Sequence, residues 1–368
     1  MALQFSHDRQ VYVAAFKKEG AATFDTAQTV EAASGCSLVE FEGGAIDYKE
    51  TRRDGVGEGG EFGYESYLSR YDYGCSLTFP FLRPNDLGFL FGYAMGTSAE
   101  TSGTGTEYRH KNTLVSTAIL PAFDMVVKEA GLQKIMTGCA ISSLTVSRNG
   151  DYVQASCEIV GTRLADNSDA FPAEIAEEPM LYANSGIWIE SGADIDIAAT
   201  PTQGAENISA GTPDDIRADV VEGPTITINN NVRLDRAWDA ANTNNVLCKG
   251  QLHRGAKREI TVEWTQNFET DAIYDYFIGA SNVTSHVAFE WNLKETAQGV
   301  IGSGGAMYPG FIFIMPRGAL EPVGAASDND GVLTRSYKLV AKTPTTAADS
   351  ETNPALAYVY TAQAGYAA

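Results

Sequence analysis

The chain has 368 residues, of which 44% are hydrophobic and 10% aromatic, which is enough for about two or three domains with apolar cores. Its formal net charge is -21, and so acidic a surface repels nucleic acid rather than gripping it. We predict neither a signal peptide nor a membrane helix. The first residues lack a basic segment followed by an apolar one, and no window approaches the roughly 18 apolar residues that span a bilayer.

The cysteine pattern argues against disulfides and against a zinc site. There are five cysteines, an odd number, and no pair has the spacing CxxC. Free and mostly buried thiols are the expectation for such a set.

Residues 1–36 are predicted to form an N-terminal arm, and the first β-rich unit follows. Residues 43–69 are rich in glycine and charge, which predicts a long flexible hairpin. A strand is expected at 76–81. Residues 85–95 have apolar side chains at helical spacing, and Asn85 is the expected N-cap.

The closing hairpin of this unit has the clearest local signal. Residues 140–147 and 152–161 alternate between apolar and polar, and Asn149-Gly150 lies between them. Asn-Gly between alternating runs predicts a tight β-hairpin.

The middle of the chain begins with another alternating run and then loses its pattern. We expect residues 186–197 to form a strand docked on the first unit, and 200–223 to be a linker, because this stretch is rich in Ala, Thr, Gly and Pro. A second unit is predicted over 224–343, with a helix near 269–278. Residues 344–368 are predicted to form a C-terminal arm that becomes ordered only against a neighbour.

Three blocks of the second unit match blocks of the first in the same order. Residues 76–81 align with 259–264, residues 122–128 with 288–294, and residues 149–160 with 329–340. Apolar positions mostly meet apolar positions, although the offsets differ between blocks. We therefore predict two tandem domains, 37–199 and 224–343, with unequal insertions.

No motif for enzymatic chemistry is present. The sequence contains no Walker loop, no GxGxxG after a strand, no HExxH and no GxSxG. The acidic pairs Asp194/Asp196 and Asp214/Asp215 are more typical of solvated surface than of a catalytic or Ca²⁺ site. We predict a protein that is not an enzyme and that needs no cofactor or metal.

Several segments resemble a known family. They are Tyr108-Arg109-His110 before a strand, residues 123–127 and 137–147 in the first unit, and residues 227–231 and 258–262 in the second. Together with the order strand, charged hairpin, strand, helix and closing hairpin, they resemble the major tail tube proteins of long-tailed bacteriophages. The resemblance implies a mainly β chain with two tandem tail-tube-type β-sandwich or barrel domains, each with a short flanking helix. These would assemble into a ring with an inner β-barrel wall.

The function implied by this resemblance is structural. The chain would polymerise as stacked rings, trimeric and pseudo-hexameric because each chain carries two domains, into a virion tail tube. Partners would be further copies of the chain, other tail proteins at the tube ends, and double-stranded DNA that passes through an acidic lumen; no membrane is implied. The protein would be made in the host cytoplasm.

Two sets of candidate residues follow. Polar positions on the expected wall strands are candidates for the lumen, although an outer exposed position fits each of them equally: Glu40, Glu158, Asn229, Asn231, Glu259 and Glu263. Charged positions of the long hairpin are candidates for contacts between rings: Asp47, Glu50, Arg52, Arg53, Asp54, Glu58 and Glu61.

A carbohydrate-binding tail-tip or adhesin module is the alternative function. Its 17 Tyr and 4 Trp would then form platforms for sugars. The aromatic residues, however, recur among apolar neighbours, as core residues do.

Overall fold

The structure is a computed structural model that describes most of the chain. The described residues are 12–18, 38–40, 47–54, 66–102, 107–115, 120–129, 132–168, 177–192, 196–209, 213–238, 248–267, 286–301, 307–321, 325–329, 332–344 and 353–362. Among them, no helix is both long enough and apolar enough to cross a membrane.

Most of the described residues are in strands, and one α-helix is present among them. The elements are β1 Tyr12–Lys18, β2 Leu38–Glu40, β3 Asp47–Asp54, β4 Ser66–Phe79, α1 Pro84–Met95, β5 Gly96–Ser102, β6 Tyr108–Leu114, β7 Phe123–Glu129, β8 Leu132–Asn149, β9 Tyr152–Gly161, β10 Arg163–Asp166, β11 Ser185–Gly192, β12 Asp196–Ile197, β13 Ile208–Ser209, β14 Asp214–Asp215, β15 Val220–Asn229, β16 Val232–Trp238, β17 Cys248–Arg254, β18 Glu259–Asn267, β19 His286–Lys294, β20 Gly310–Leu320, β21 Ser327–Asn329, β22 Val332–Ala341 and β23 Leu356–Thr361.

Six strands form one continuous antiparallel sheet, which we call the front sheet. Their order is β4-β9-β8-β15-β18-β22. Each strand alternates between buried and exposed or half-exposed side chains, as β9 does from Tyr152 to Gly161. This period of two is expected for a sheet with one face against a core and the other in solvent.

A second sheet, which we call the back sheet, packs behind the first. Its strands pair in the order β11-β19-β20-β23-β6-β5. The inward side chains of both sheets and those of α1 form one apolar cluster, which includes Leu77, Leu144 and Val262 of the front sheet and Trp291 and Phe313 of the back sheet. Burial of such side chains is the main stabilising contribution to the fold.

Strand β8 takes part in two sets of pairings because it bends at Gly138. Its first half pairs with β7 and β10, and its second half pairs with β9 and β15. Gly138 has φ +57°, a left-handed conformation that favours glycine. A Cβ at this position would lie 2.2 Å from Oγ1 of Thr162.

The predicted helix is present, but its capping differs from the prediction. The N-cap residue is Arg83, with Pro84 in the first turn, so the prediction of Asn85 as N-cap is wrong. Proline is favoured at the first helical position because it has no N–H to leave unpaired. A distant side chain caps the helix instead, since the backbone N–H of Asn85 donates to the carboxylate of Glu177 at 2.7 Å. The helix is also buried along its whole length rather than on one face.

Two sets of six strands pair in the same scheme. In the first set, β1 pairs with β7, β7 with β8, β8 with β9 and β10, and β9 with β4. In the second set, β11 pairs with β19, β19 with β20, β20 with β22 and β23, and β22 with β18. Strand β15 joins the two sets, because it pairs with β8 of the first and with β18 of the second.

Four segments that were expected to be arms, linker or docked strand are built into the sheets. Strand β1 lies within the expected N-terminal arm and pairs with β7. Strand β23, in the expected C-terminal arm, is buried at all its residues between β20 and β6. Strand β12, at the end of the expected docked strand, pairs with β13 in the expected linker, and this hairpin lies over the back sheet. Strand β11 pairs along its length with β19 and not with the first unit, because a local pattern predicts a strand but not its partner.

Two hairpins leave the front sheet at the same end. The charged segment 43–69 contributes β3, which pairs with the first part of β4, while residues 55–65 lie outside the described part of the chain. Strands β16 and β17 form the second hairpin, between β15 and β18. The helix expected near 269–278 also lies outside the described residues. The Asn149-Gly150 hairpin is present, with Gly150 at φ +59°.

Candidate functional site

The exposed face of the front sheet carries a row of polar side chains that crosses four strands. Glu158 of β9 pairs with Ser143 of β8, Ser143 pairs with Asn229 of β15, and Asn229 pairs with Glu259 of β18. Glu158 and Glu259 are exposed, while Ser143 and Asn229 are half-buried. The row passes through the β8–β15 junction, so both strand sets contribute to one surface.

The neighbouring row carries hydroxyl side chains on five strands and Val340 on the sixth. The hydroxyl members, in strand order, are Thr78, Ser156, Thr145, Thr227 and Thr261, of which Thr261 is buried. Threonine fits a half-exposed sheet surface well because it is β-branched. Between the carboxylates, this surface therefore consists mainly of short, uncharged side chains that can bind water.

A third part of this face carries a small ion-pair group. Lys338 of β22 lies 3.6 Å from Glu263 of β18 and 3.5 Å from Glu321. Burial acts to lower the pKa of Lys338, but the carboxylates of Glu321 and Glu263 outweigh it and raise this pKa above its usual value. These side chains line a groove of about 340 Å³, which also contacts Glu222 and Trp264.

Four of the six lumen candidates lie on this face: Glu158, Asn229, Glu259 and Glu263. Asn231 is not in the row, because it lies in the turn after β15 with φ +50° and its side chain donates to the carbonyl oxygen of Lys257 at 2.7 Å. Glu40 lies in β2, which pairs with β1; its side chain is outside the described residues.

The candidates for contacts between rings all come from one hairpin. Five of them lie in β3, opposite the first part of β4: Asp47, Glu50, Arg52, Arg53 and Asp54. Glu58 and Glu61 lie outside the described residues.

The comparison with protein families decides the class of the protein. The family of phage tail tube proteins matches residues 21–339, which is most of the chain. The chain belongs to the phage tail tube protein family. No curated protein matches the sequence.

Membership in this family assigns a structural role in the virion tail. Tail tube proteins assemble with copies of themselves and with other tail proteins, and the role is not enzymatic. The sugar-binding alternative is not favoured, because Trp188, Trp264 and Trp291 are buried rather than available as platforms. Within the described residues, no group of three His, Cys, Asp or Glu side chains is placed to hold a metal ion.

Several residues of the polar face were not among the sequence candidates. The hydroxyl row was not predicted, because uncharged polar side chains on a strand do not indicate which face of the sheet they lie on. Lys338 and Glu321 were missed because the sequence does not indicate that β22 pairs with β18 or that the end of β20 pairs with β22. The alternation of Thr225, Thr227 and Asn229 with buried isoleucines would have been the available signal.

A buried carboxylate holds the β12–β13 hairpin on the back sheet. Glu290 of β19 is fully buried and accepts hydrogen bonds from the backbone N–H and the side-chain amide of Asn207, at 2.7 and 2.5 Å. The Asn292 amide donates to it as well, at 3.1 Å. Burial raises the pKa of Glu290 to about 7, although these hydrogen bonds act to lower it. This group lies behind the front sheet and fixes the segment that was expected to be a linker.

The cysteines agree with the sequence expectation within the described residues. Cys75, Cys139 and Cys157 are buried, and none of these three is in a disulfide. Burial raises the pKa of the Cys157 thiol, so this side chain is an unreactive core residue.

Proposed function

We propose that three copies of this chain form one ring of the phage tail tube, and that the polar face of the front sheet lines the lumen. Rings stack into a tube, and genome DNA passes through it into the host. Each chain supplies two tandem tube domains, so a ring has six pseudo-equivalent positions.

The observation that carries this proposal is the continuous front sheet with its single polar face. Its six strands run from β4 to β22 without a break, and the β8–β15 pairing joins the two strand sets. A wall shared by several copies requires a sheet that is apolar behind and hydrophilic in front, and which can be extended at its edges. The front sheet is apolar behind and hydrophilic in front, and its strand β22 already pairs on its outer side with β20 and β21.

The repeated pairing scheme supports the two tandem domains. The first would contain β1 to β10 and the second β11 to β23, because β11 pairs with β19 of the second set. The boundary then falls between Asp166 and Ser185, earlier than the sequence pattern predicts.

The strand count supports a ring of three chains. Pairings run through eight strands in the order β3-β4-β9-β8-β15-β18-β22-β21, so three chains would supply 3 × 8 = 24. With about 4.8 Å between strands and a tilt of about 40°, a barrel of that size has a backbone diameter of roughly 48 Å. Inward side chains reduce this diameter by on the order of 10 Å, which leaves room for duplex DNA about 20 Å wide.

The charge of the polar face suits the passage of DNA. Each ring would carry 3 × (-21) = -63 in total, and its lumen would present Glu158, Glu259 and Glu263 from every chain. Carboxylates repel phosphates, and hydroxyl side chains offer them only weak contacts. We further propose that the charged positions of β3 contact the adjacent ring.

Electron microscopy of the purified chain tests this function. Negative-stain images should show rings or long tubes, and the tubes should have an open central channel. A protein that remains a monodisperse monomer at all concentrations and salt conditions would contradict the proposal.

A further inference from the structure

Residues 196–209 form a flap over the outer side of the back sheet, the side that faces away from the main core. Strands β12 and β13 pair within this flap, where Ile197 lies opposite Ile208. Both isoleucines are buried in a second apolar cluster. Other members of this cluster come from β11, β20 and β23: Trp188, Ile312, Ile314 and Tyr358. The flap therefore covers apolar side chains that would otherwise be in solvent.

Two buried side chains of β19 hold the turn of the flap. Asn292 accepts a hydrogen bond from the N–H of Gly204 at 3.0 Å and donates one to the carbonyl oxygen of Ala205 at 2.9 Å. Glu290, on the same side of β19, accepts the two hydrogen bonds from Asn207 described above. Backbone groups of the turn are thus satisfied by side chains of the sheet beneath it.

Two further contacts attach the flap on either side of this site. The side-chain amide of Gln203 donates to the carbonyl oxygen of Tyr308 at 2.7 Å, and its oxygen accepts from the N–H of Tyr308 at 2.9 Å. The hydroxyl of Tyr360 donates to the carbonyl oxygen of Pro201 at 3.2 Å. Each of these attachments uses a side chain, whereas β11, β19, β20 and β23 pair with one another through their backbones. The flap can therefore leave the sheet without breaking a strand pairing beneath it.

We propose that the flap is a proton-linked latch, which opens as one unit while both sheets stay folded. Opening would expose the carboxyl group of Glu290 to water and uncover the second apolar cluster. Because burial raises the pKa of Glu290 to about 7, the closed flap holds a proton that the open flap releases. Opening therefore becomes easier as the pH rises from about 4.5 to about 7. The latch is a property of the single chain and does not depend on the proposed tube.

Other titratable and charged groups lie on the same side of the back sheet or in the flap. They are Glu190 of β11, His286 and Lys294 of β19, Tyr360 of β23, Arg109 of β6 and Glu206 of the flap turn. Burial raises the pKa of Tyr360, so its hydroxyl keeps its proton throughout this range. Glutamate and histidine are the types among them that ordinarily change charge between pH 4 and 8. Glu190, His286 and Glu206 therefore supply the matched control variants.

Hydrogen exchange of the full-length chain in dilute solution tests the latch, with mass spectrometry to follow the flap. Protection of the flap amides, corrected for the intrinsic exchange rate, should fall by roughly thirtyfold between pH 5 and pH 7. The amides of β8 and β9 should stay protected over this range. Glu290→Gln cannot ionise and should abolish the pH dependence of the flap. Glu190→Gln, His286→Gln and Glu206→Gln should each retain it.

The fluorescence of Trp188 gives a second readout, because this side chain lies in the cluster beneath the flap. The difference in acrylamide quenching between the wild type and Trp188→Phe should increase over the same pH range. Wild-type flap protection that does not change with pH overturns the proposal. Flap amides that exchange only as slowly as those of β8 and β9 also overturn it, since the flap would then open only when the whole chain unfolds. Both wild-type results decide the question even if Glu290→Gln does not fold, and neither bears on the proposed tube.

Discussion

The side-chain amide of Asn230 donates to the carbonyl oxygen of Ile141 at 2.9 Å. The same amide donates to the carbonyl oxygen of Ala94 in the last turn of α1, also at 2.9 Å, and Asn230 is fully buried. The backbone N–H of Asn230 donates to the carbonyl oxygen of Ser142 at 2.8 Å. One residue at the end of β15 thus joins the second strand set to the helix and the long strand of the first.

Asn230→Ala should destabilise the chain by about 2 kcal/mol, because it leaves two buried carbonyl oxygens without this donor. Urea unfolding of the purified chain measures the change. Asn231→Gly is the matched control. That residue has φ +50° and an exposed side-chain hydrogen bond, so glycine there should change the unfolding free energy by less than about 0.5 kcal/mol. Equal effects of the two substitutions would contradict this account of the junction.

The bend of β8 at Gly138 leads to a second prediction. Gly138 and Gly150 have nearly the same φ, +57° and +59°, but differ in their surroundings. A Cβ at Gly138 would meet Thr162 at 2.2 Å, whereas a Cβ at Gly150 has nothing within 4 Å. Gly150→Ala should therefore cost about 1 kcal/mol, from backbone strain alone, and Gly138→Ala at least about 3 kcal/mol. Thermal unfolding compares them, and similar melting temperatures would show that the bend tolerates a side chain.

The buried Glu290 predicts a pH dependence of stability. Its pKa is raised from 4.5 to about 7 in the folded chain, so the folded state holds a proton that the unfolded state has released. Protonated Glu290 therefore contributes to the free energy of unfolding in full below about pH 4.5. This contribution is lost as the pH rises to about 7, which lowers the free energy of unfolding by about 3 kcal/mol. Unfolding free energies of the wild type should fall over this range more steeply than those of Glu290→Gln. Parallel curves would show that Glu290 does not titrate in this way.

The carboxylates of the polar row predict the behaviour of DNA in assembled tubes. Glu158→Lys/Glu259→Lys makes the net charge of each proposed ring more positive by 3 × 4 = 12. Each of the two reversals changes the charge of a chain by two. These tubes should assemble but retain about tenfold more duplex DNA than wild-type tubes at low salt, and release it at high salt. Cosedimentation measures retention. Asp166→Lys/Glu206→Lys, at exposed sites in β10 and in the turn between β12 and β13, is the control. Equal retention by both variants would place the row outside the lumen.

Local patterns predicted the parts of the fold that depend on neighbouring residues. The alternation in 152–161 and the Asn149-Gly150 turn predicted a hairpin, and the spacing of apolar residues predicted α1. In each case the physical cause lies within about a dozen residues. Glu259 and Glu263 share one face for the same reason, since alternate side chains of a strand point the same way. Glu158 and Asn229 join that face only through the pairings of β9, β8, β15 and β18.

Elements whose positions depend on distant partners could not be predicted from the sequence pattern. Strand β23 was taken for an arm because small and polar residues surround it, while its partner β6 lies in the first half of the chain. The segment before β14 was taken for a linker because Asn207 shows its role only beside Glu290, 83 positions away. Glu177 caps α1 from 92 positions away, so the helix start was assigned to Asn85 instead. Long-range polar contacts of this kind leave no periodic signal.

In the proposed tube, three chains close one ring, and each contributes two tube domains to a shared wall. A single electron-microscopy class average viewed down the axis of assembled tubes measures the symmetry of that ring. We expect threefold symmetry with six similar lobes in alternating pairs, around a channel wide enough for duplex DNA. Six identical lobes with true sixfold symmetry, or a closed centre, would contradict it.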